Sequence, residues 1–307
     1  MNRPGFLEVS DEYAGQRVDN FLIRELKGVP KSRLYRALRK GEVRVNRGRV
    51  KADYRLQVGD RVRIPPIRMA AGQPIQPPPA HWLGLDRERT LYEDRGLLVI
   101  NKPAGLAVHG GSGLTVGLIE SLRLMRSGDN YLELVHRLDR ETSGCLMVAR
   151  RAAVLKELHR QLREGRIDKR YLALVEGQWP RQLRDIEAPL LKNTLRSGER
   201  VVRVDKAGKF AHTEFQVLRR FAGCTLLQVR PHTGRTHQIR VHARHAGHPL
   251  LGDAKYSSRD QFKSARGRGL QRLFLHAQTL SFDDAGGERV TVGAELEPDL
   301  QKFLDAL

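Results

Sequence analysis

The first 65 residues combine helical and strand-like hydrophobic patterns. Apolar residues recur at helical spacing between residues 17 and 26, which predicts an amphipathic helix. The same spacing over residues 32–40 predicts a second helix, which Gly41 would end. Valine or isoleucine alternates with polar residues at 43–46 and 61–64, as in half-buried strands. This part of the chain is therefore predicted to be a small α/β domain.

Beyond residue 88, many short apolar segments are interspersed with few helical patterns. Two helices are predicted, one that Gly165 would end and one over residues 237–246 with Thr236 as its N-cap and Gly247 after it. The irregular order of helices and strands predicts an α+β domain with a mainly antiparallel mixed sheet. The predicted strands are residues 97–101, 133–136, 145–149, 171–175 and 225–229.

A proline-rich stretch separates these two patterns. Six of the chain's 14 prolines fall between residues 65 and 79, where a packed element would not form. We therefore predict a small domain over residues 1–65, a linker over 66–88 and a larger domain over 89–307.

Charge narrows the choice of partner. The 307 residues contain 55 Lys plus Arg against 35 Asp plus Glu, a formal net charge of +20. This exceeds the roughly 2–8 charges that solubility requires of a small domain, so we expect a polyanionic partner, with nucleic acid ahead of an anionic membrane surface. The second predicted helix is the first candidate for phosphate contacts, although a solvated basic face would have the same pattern. Its cations are Lys31, Arg33, Arg36, Arg39 and Lys40.

The two cysteines, Cys145 and Cys224, lie in apolar segments and are expected to be buried thiols. We see no signal run at the N-terminus and no stretch of roughly 18 apolar residues that could cross a membrane. A cytoplasmic protein with no membrane partner is expected.

Two predicted strands flank a polar loop that could carry chemistry. Asp139 lies between Arg137 and Arg140, and neighbouring cations favour an ionised carboxylate that can act as a nucleophile. Thr142 and Ser143 can hydrogen-bond to the loop backbone. From residue types alone, a charged surface loop without catalytic activity explains this segment better than a catalytic loop does.

Residues 136–144, His-Arg-Leu-Asp-Arg-Glu-Thr-Ser-Gly, resemble the catalytic loop of the pseudouridine synthase family whose signature is His-Arg-Leu-Asp-x-x-Thr-Ser-Gly. Further segments that resemble this family follow its order along the chain. They are residues 98–105, 109–113, 169–175, 233–242 and 247–253. The N-terminal part resembles the small RNA-binding domain named after a small-subunit ribosomal protein, in residues 17–22, 30–34 and 40–46.

The resemblance implies an isomerase that converts uridine to pseudouridine without a cofactor or metal. It implies that Asp139 is the nucleophile, that Tyr171 is the active-site tyrosine and that Arg235 pairs with the catalytic carboxylate. Residues 26–32, 188–193 and 197–200 are similar to bacterial members that modify 23S rRNA of the large ribosomal subunit. A Ser at position 257, where the family often has Gly, is a departure outside the proposed chemistry. We expect a monomer.

Several residues are assigned to RNA contact. Arg137 is predicted to fill the space that a flipped uridine vacates, and Arg140 to contact the substrate. His237 and Gln238 are expected to contact the RNA backbone near a helix N-terminus.

Three other functions are weighed against this one. His237, His242, His245 and His248 are close enough in sequence to suggest zinc, although no cysteine or suitably spaced carboxylate accompanies them. A metal-dependent nuclease would need clustered acids, which the loop lacks. A non-catalytic RNA-binding protein would share the charge but would not require Asp139, Tyr171 and Arg235 to meet in one cleft.

Overall fold

The computed structural model describes residues 5–26, 29, 31–66, 85–110, 116–194 and 200–307. The chain divides into two compact units, one of Met1–Pro78 with Arg151–Ala153 and one of Pro79–Arg150 with Val154–Leu307. Most of the predicted linker lies outside the described residues, so its limits and those of the flanking domains stay predictions.

The N-terminal unit contains two helices and a four-stranded antiparallel sheet of order β1-β4-β2-β3. Both predicted helices are present, and Gly41 has a φ of 68° after the second. A core of apolar side chains that includes Phe21, Leu34 and Val62 joins helices and sheet. The elements are β1 (Gly5–Glu8), α1 (Val18–Glu25), α2 (Lys31–Arg39), β2 (Arg44–Val45), β3 (Gly48–Arg49) and β4 (Arg61–Ile64), with a short 3-10 helix at Asp11–Tyr13.

The larger unit is built on a long, mostly antiparallel sheet. Its elements are α3 (Leu85–Glu88), β5 (Thr90–Glu93), β6 (Leu97–Lys102), α4 (Leu118–Met125), β7 (Glu133–Leu134), β8 (Ser143–Ala149), α5 (Ala152–Arg163), β9 (Asp168–Glu176), β10 (Asp185–Glu187), β11 (Leu190–Thr194), β12 (Arg200–Val204), β13 (His212–Phe221), β14 (Cys224–Pro231), α6 (Gln238–His245), α7 (Arg259–Gly267), β15 (Leu275–Asp283), β16 (Arg289–Gly293) and α8 (Pro298–Asp305).

The ten-stranded sheet has the order β10-β13-β14-β9-β15-β8-β6-β5, with β16 beside β15 and β7 beside β8. Among the described strands, only β8 and β15 pair in parallel. The pairing places β8 and β9 on either side of β15, so the start of β8 lies level with Tyr171 and Leu172 in the middle of β9. The α+β prediction with a mainly antiparallel sheet is confirmed.

The predicted strand over residues 133–136 is too long, because regular pairing ends at Leu134. The N–H of Met147 donates to the imidazole Nε2 of His136 at 3.2 Å, so a side chain replaces a backbone partner there. Burial lowers the pKa of His136 to about 3, which leaves the ring neutral and able to accept this bond. The segment of residues 136–144 therefore leaves the regular β7–β8 pairing at His136.

Cys145 and Cys224 are buried free thiols, as the sequence predicted. None of the helices in the described part of the chain is long and apolar enough to cross a membrane.

Candidate active site

A cleft of about 530 Å³ opens beside the loop that joins β7 to β8. Asp139 from this loop, Tyr171 from β9 and Arg235 from the segment between β14 and α6 all line it. Arg137 and His237 line the same cleft. The three residues that the sequence singled out therefore meet in one place, the arrangement that a non-catalytic RNA-binding protein would not require.

A buried lysine holds one side of the loop. The Nζ of Lys102, at the end of β6, donates to the carbonyl oxygens of Pro103 at 2.7 Å, Leu106 at 2.9 Å and Arg140 at 3.1 Å. Burial lowers the pKa of Lys102 to about 7, while its three carbonyl acceptors match the three N–H groups of an ammonium. The N–H of Gly105 also donates to the Arg140 carbonyl at 2.9 Å. These bonds fix the backbone next to Asp139.

The other side of the loop is fixed by close packing. Leu138 is buried in the main core, and the N–H of Thr142 donates to the Asp139 carbonyl at 3.1 Å. Gly144 has a φ of 106°, and a Cβ at this position would collide with the carbonyl of Ala277 in β15. A glycine is therefore required where the loop enters β8.

Two nitrogen atoms approach the Asp139 carboxylate. Arg240 Nη1 lies 3.8 Å and His237 Nε2 lies 4.0 Å from the same oxygen, Oδ2. Arg240 is held by Asp253, whose carboxylate accepts from Nε and Nη2 at 2.7 Å each. Asp253 also accepts from the backbone N–H groups of Lys255 and Tyr256. This buried pair presents the remaining guanidinium nitrogen to the cleft.

The expectation that Arg235 pairs with the catalytic carboxylate is wrong in this structure. Arg235 lines the cleft, but its Nε donates to the carbonyl of Phe210 at 3.0 Å, and Arg240 holds the position beside Asp139. Arg240 lies in the first turn of α6 and His237 immediately precedes the helix, so both side chains approach Asp139 from the same end of α6. Both residues belong to the segment 233–242 that resembles the family, and this resemblance is the signal by which the sequence could have identified them.

Gln238 is not available for the RNA contact that we expected. Its amide donates to the carbonyl of His212 and the hydroxyl of Thr213, and its oxygen accepts from Thr233 and from the Arg235 N–H. These four bonds use the hydrogen-bonding capacity of the buried side chain. They also shape the start of α6, which begins at Gln238. The N-cap is His237, which has a φ of 54°, and not Thr236 as predicted.

The histidines of this segment point to different surroundings. His242 is buried between the Thr213 hydroxyl and the Ala188 carbonyl, and His248 contacts the Glu176 carbonyl. His245 is exposed. Within the described ranges, no group of three or more His, Cys, Asp or Glu residues could hold a metal ion.

Tyr171 lines the cleft from β9. Its side chain is largely buried, and this burial, together with the nearby negative charge of Asp139, raises its pKa well above the ordinary value. The phenol is therefore neutral at physiological pH, so it can stack on a base or donate a hydrogen bond.

The remaining cations that were assigned to RNA lie at the surface or in ion pairs. Arg137 is exposed at the cleft, while Arg140 is exposed and donates to the Gly105 carbonyl at 3.0 Å. In α2, Arg33 pairs with Glu42 at 2.8 Å. The exposed cations at the end of this helix are Arg36, Arg39 and Lys40, and the Lys31 side chain lies outside the described residues.

In comparisons with known proteins, each of the two units matches a family model. The family model described as RNA pseudouridylate synthase matches residues 96–245, and the S4 domain model matches residues 16–62. "Ribosomal large subunit pseudouridine synthase C" of Pasteurella multocida (strain Pm70) is 51% identical over 98% of this chain and 93% of its own length. The chain belongs to the RNA pseudouridylate synthase family. The predicted enzyme class, an isomerase, is thereby confirmed.

Other relatives agree with this family. The protein of the same name from Escherichia coli (strain K12) is 51% identical over 97% of this chain and 95% of its own length. Among solved structures, "Human RNA Pseudouridylate Synthase Domain Containing 4" has a TM-score of 0.60 at 25% identity, covering 72% of this chain and 93% of that chain. This structural similarity confirms the pseudouridine synthase fold of the larger unit.

Proposed function

We propose that this pseudouridine synthase isomerises specific uridines in 23S rRNA of the large ribosomal subunit, with Asp139 as the nucleophile. The observation that carries the proposal is a carboxylate in a cleft, 18% exposed, with a fixed arginine 3.8 Å from one of its oxygens. The carboxylate is accessible to a substrate, and the guanidinium stabilises its negative charge.

The chemistry follows from these groups. Asp139 attacks either C1′ of the ribose or C6 of the base, and the bond between C1′ and N1 breaks. The base rotates while it is held in the cleft, a bond forms between C1′ and C5, and the bond to Asp139 breaks so that the carboxylate is regenerated. The proton on C5 is lost while N1 gains one. Substrate and product have the same atoms, so the reaction requires no oxidant or reductant. Tyr171, as a neutral phenol, contacts the base during rotation.

The uridine must leave its stack to reach Asp139, which costs a few kcal/mol and least in irregular RNA. Arg137 is exposed on the same loop, two residues before Asp139, and it lines the cleft. We assign it to the space that the flipped nucleotide vacates. Contacts to phosphate by the surrounding cations supply the binding energy.

The identity of the RNA rests on three observations. The curated relatives at 51% identity are named for the large ribosomal subunit, an S4 domain model matches residues 16–62, and the net charge is +20. We assign residues 1–65 to an RNA-binding domain, 66–88 to a linker and 89–307 to catalysis. We further propose that the enzyme acts as a monomer in the cytoplasm.

Site-resolved pseudouridine mapping of 23S rRNA, with and without this gene, tests the proposal. Loss of pseudouridine at defined sites, restored by the purified protein on the unmodified RNA, is the expected result. Unchanged mapping together with an absence of activity in vitro would contradict it. A protein that only binds RNA would bind the same fragments without changing their uridines.

A further inference from the structure

We propose that His237 is a positioning residue for the reaction, a neutral imidazole whose Nε2–H is directed at the Asp139 carboxylate and whose tautomer is fixed by Tyr256. This inference rests on the proposed role of Asp139. It gives His237 a function inside the cleft in place of the RNA-backbone contact that the sequence suggested.

The backbone conformation of His237 orients its side chain. His237 has a φ of 54° and a ψ of 20°, a left-handed conformation that is uncommon for a residue other than glycine, immediately before α6. This conformation aims the ring into the cleft, where its side chain is 16% exposed. The ring packs edge-on against Tyr256, with centroids 5.5 Å apart and an interplanar angle of 74°. A strained backbone at the site directs the imidazole.

The hydrogen bonds fix which nitrogen carries the proton. The backbone N–H of Val202 donates to the Tyr256 hydroxyl oxygen at 3.1 Å, and this oxygen lies 2.7 Å from His237 Nδ1. Because the buried hydroxyl proton needs an acceptor, it is donated to Nδ1. Nε2 therefore carries the imidazole proton.

The charge of the ring follows from its surroundings. Burial lowers the pKa of His237 to about 4, despite the opposing effect of Asp139, while the cations Arg240 and Lys255 lower it further. The imidazole is therefore neutral near pH 7, and it acts as a dipolar donor beside the full positive charge of Arg240.

Both donors converge on one carboxylate oxygen. His237 Nε2 and Arg240 Nη1 lie 4.0 and 3.8 Å from Oδ2, longer than hydrogen bonds. Catalytic hydrogen bonds are often long without substrate and shorten in the complex. Held through Oδ2, the carboxylate keeps a defined orientation, and Oδ1 becomes the attacking oxygen.

The variant His237→Asn tests the proposal. Asparagine tolerates the left-handed backbone, but its side chain is too short to reach Asp139. We expect the single-turnover rate constant at saturating enzyme to fall about 10- to 100-fold, as for loss of a hydrogen bond to a charged group, and the RNA Kd to change less than about threefold. His245→Asn, an exposed histidine on the same helix, is the matched control and should keep the wild-type rate.

The imidazole nitrogens provide an independent readout. Long-range ¹H–¹⁵N correlation spectra of labelled full-length protein should show His237 with a protonated Nε2 and an unprotonated Nδ1. Tyr256→Phe should give mixed tautomers, because Nδ1 loses its donor. A protonated Nδ1 in the wild type would overturn the proposal, even if His237→Asn failed to fold.

The remaining outcomes separate this inference from the proposed function. A His237→Asn rate within about threefold of the wild type, or a loss confined to Kd, would overturn the positioning role. If Asp139→Asn is inactive while His237→Asn is fully active, only this inference fails. If Asp139→Asn retains full activity, the proposed function itself fails.

Discussion

Replacing Arg240 with lysine tests whether the guanidinium beside Asp139 supports the reaction. Arg240 is 3.8 Å from Asp139 and also forms the two-bond pair with Asp253. Lysine keeps a positive charge for Asp253, but its one nitrogen cannot reproduce the two parallel bonds to Asp253 and also occupy the position of Nη1 beside Asp139. Removing the charge entirely would leave Asp253 buried and unpaired, which costs about 3–5 kcal/mol of folding stability and would confuse the result.

The size of the effect follows from the distance. Two unit charges about 4 Å apart interact by about 4 kcal/mol at an effective dielectric constant of roughly 20. Asp139 is 18% exposed, so solvent weakens this interaction, and we expect the barrier to rise by about 2–3 kcal/mol because the carboxylate loses the contact that orients it. This corresponds to about a 30- to 200-fold lower single-turnover rate.

The assay measures pseudouridine formation in an unmodified 23S rRNA fragment with enzyme in excess. Arg235→Lys is the matched control, since Arg235 lines the same cleft but donates to the Phe210 carbonyl. Its rate at saturation should stay within about threefold of the wild type. The reasoning is refuted if Arg235→Lys is the more damaging substitution, or if Arg240→Lys leaves the rate unchanged in a protein with a normal melting temperature.

Three further predictions concern stability and RNA binding. The depressed pKa values of His136 and His237, about 3 and about 4, mean that the unfolded chain takes up protons first as pH falls below about 6.5. The free energy of unfolding should therefore fall towards pH 4, by up to about 1.4 kcal/mol per pH unit for each histidine. When urea titrations are repeated at several pH values, the free energy of unfolding of His237→Asn should depend less steeply on pH than that of the wild type. Lys102→Met should lower the free energy of unfolding by about 3–5 kcal/mol, because three buried carbonyls lose their donor. A change below about 1 kcal/mol would contradict the view that Lys102 holds the loop through these bonds. Replacing the three exposed cations at the C-terminal end of α2 with glutamine should reduce the slope of log Kd against log salt by up to about 2 without changing the saturated rate. An unchanged slope would remove this end of α2 from the RNA interface. The three cations are Arg36, Arg39 and Lys40.

Hydrophobic spacing predicted α1, α2, α5, α6 and several strands, because packing against a core fixes their period, but it missed other elements, among them β15 near the centre of the large sheet. It could not show where a side chain replaces a backbone partner. His136 ends a strand by accepting the Met147 N–H, and Gln238 organises the turn that sets the start of α6. Both effects are side-chain hydrogen bonds between residues whose separation in the sequence follows no regular period.

The candidate site was predicted in part. The family signature identified the loop of Asp139, and β9 brings Tyr171 to the same cleft. The choice of Arg235 over Arg240 was wrong because the decisive contact comes through Asp253, 13 residues away from Arg240. Residues 233–242 resemble the family and contain both His237 and Arg240, but only the fold shows that the two side chains meet the loop of Asp139.

The most direct test of the account is the single-turnover rate of Asp139→Asn on the 23S rRNA fragment. The substitution keeps the size of the side chain and removes its charge and its nucleophilic oxygen. We predict no detectable pseudouridine, with RNA affinity within about threefold of the wild type. Pseudouridine formation at the wild-type rate would contradict Asp139 as the nucleophile.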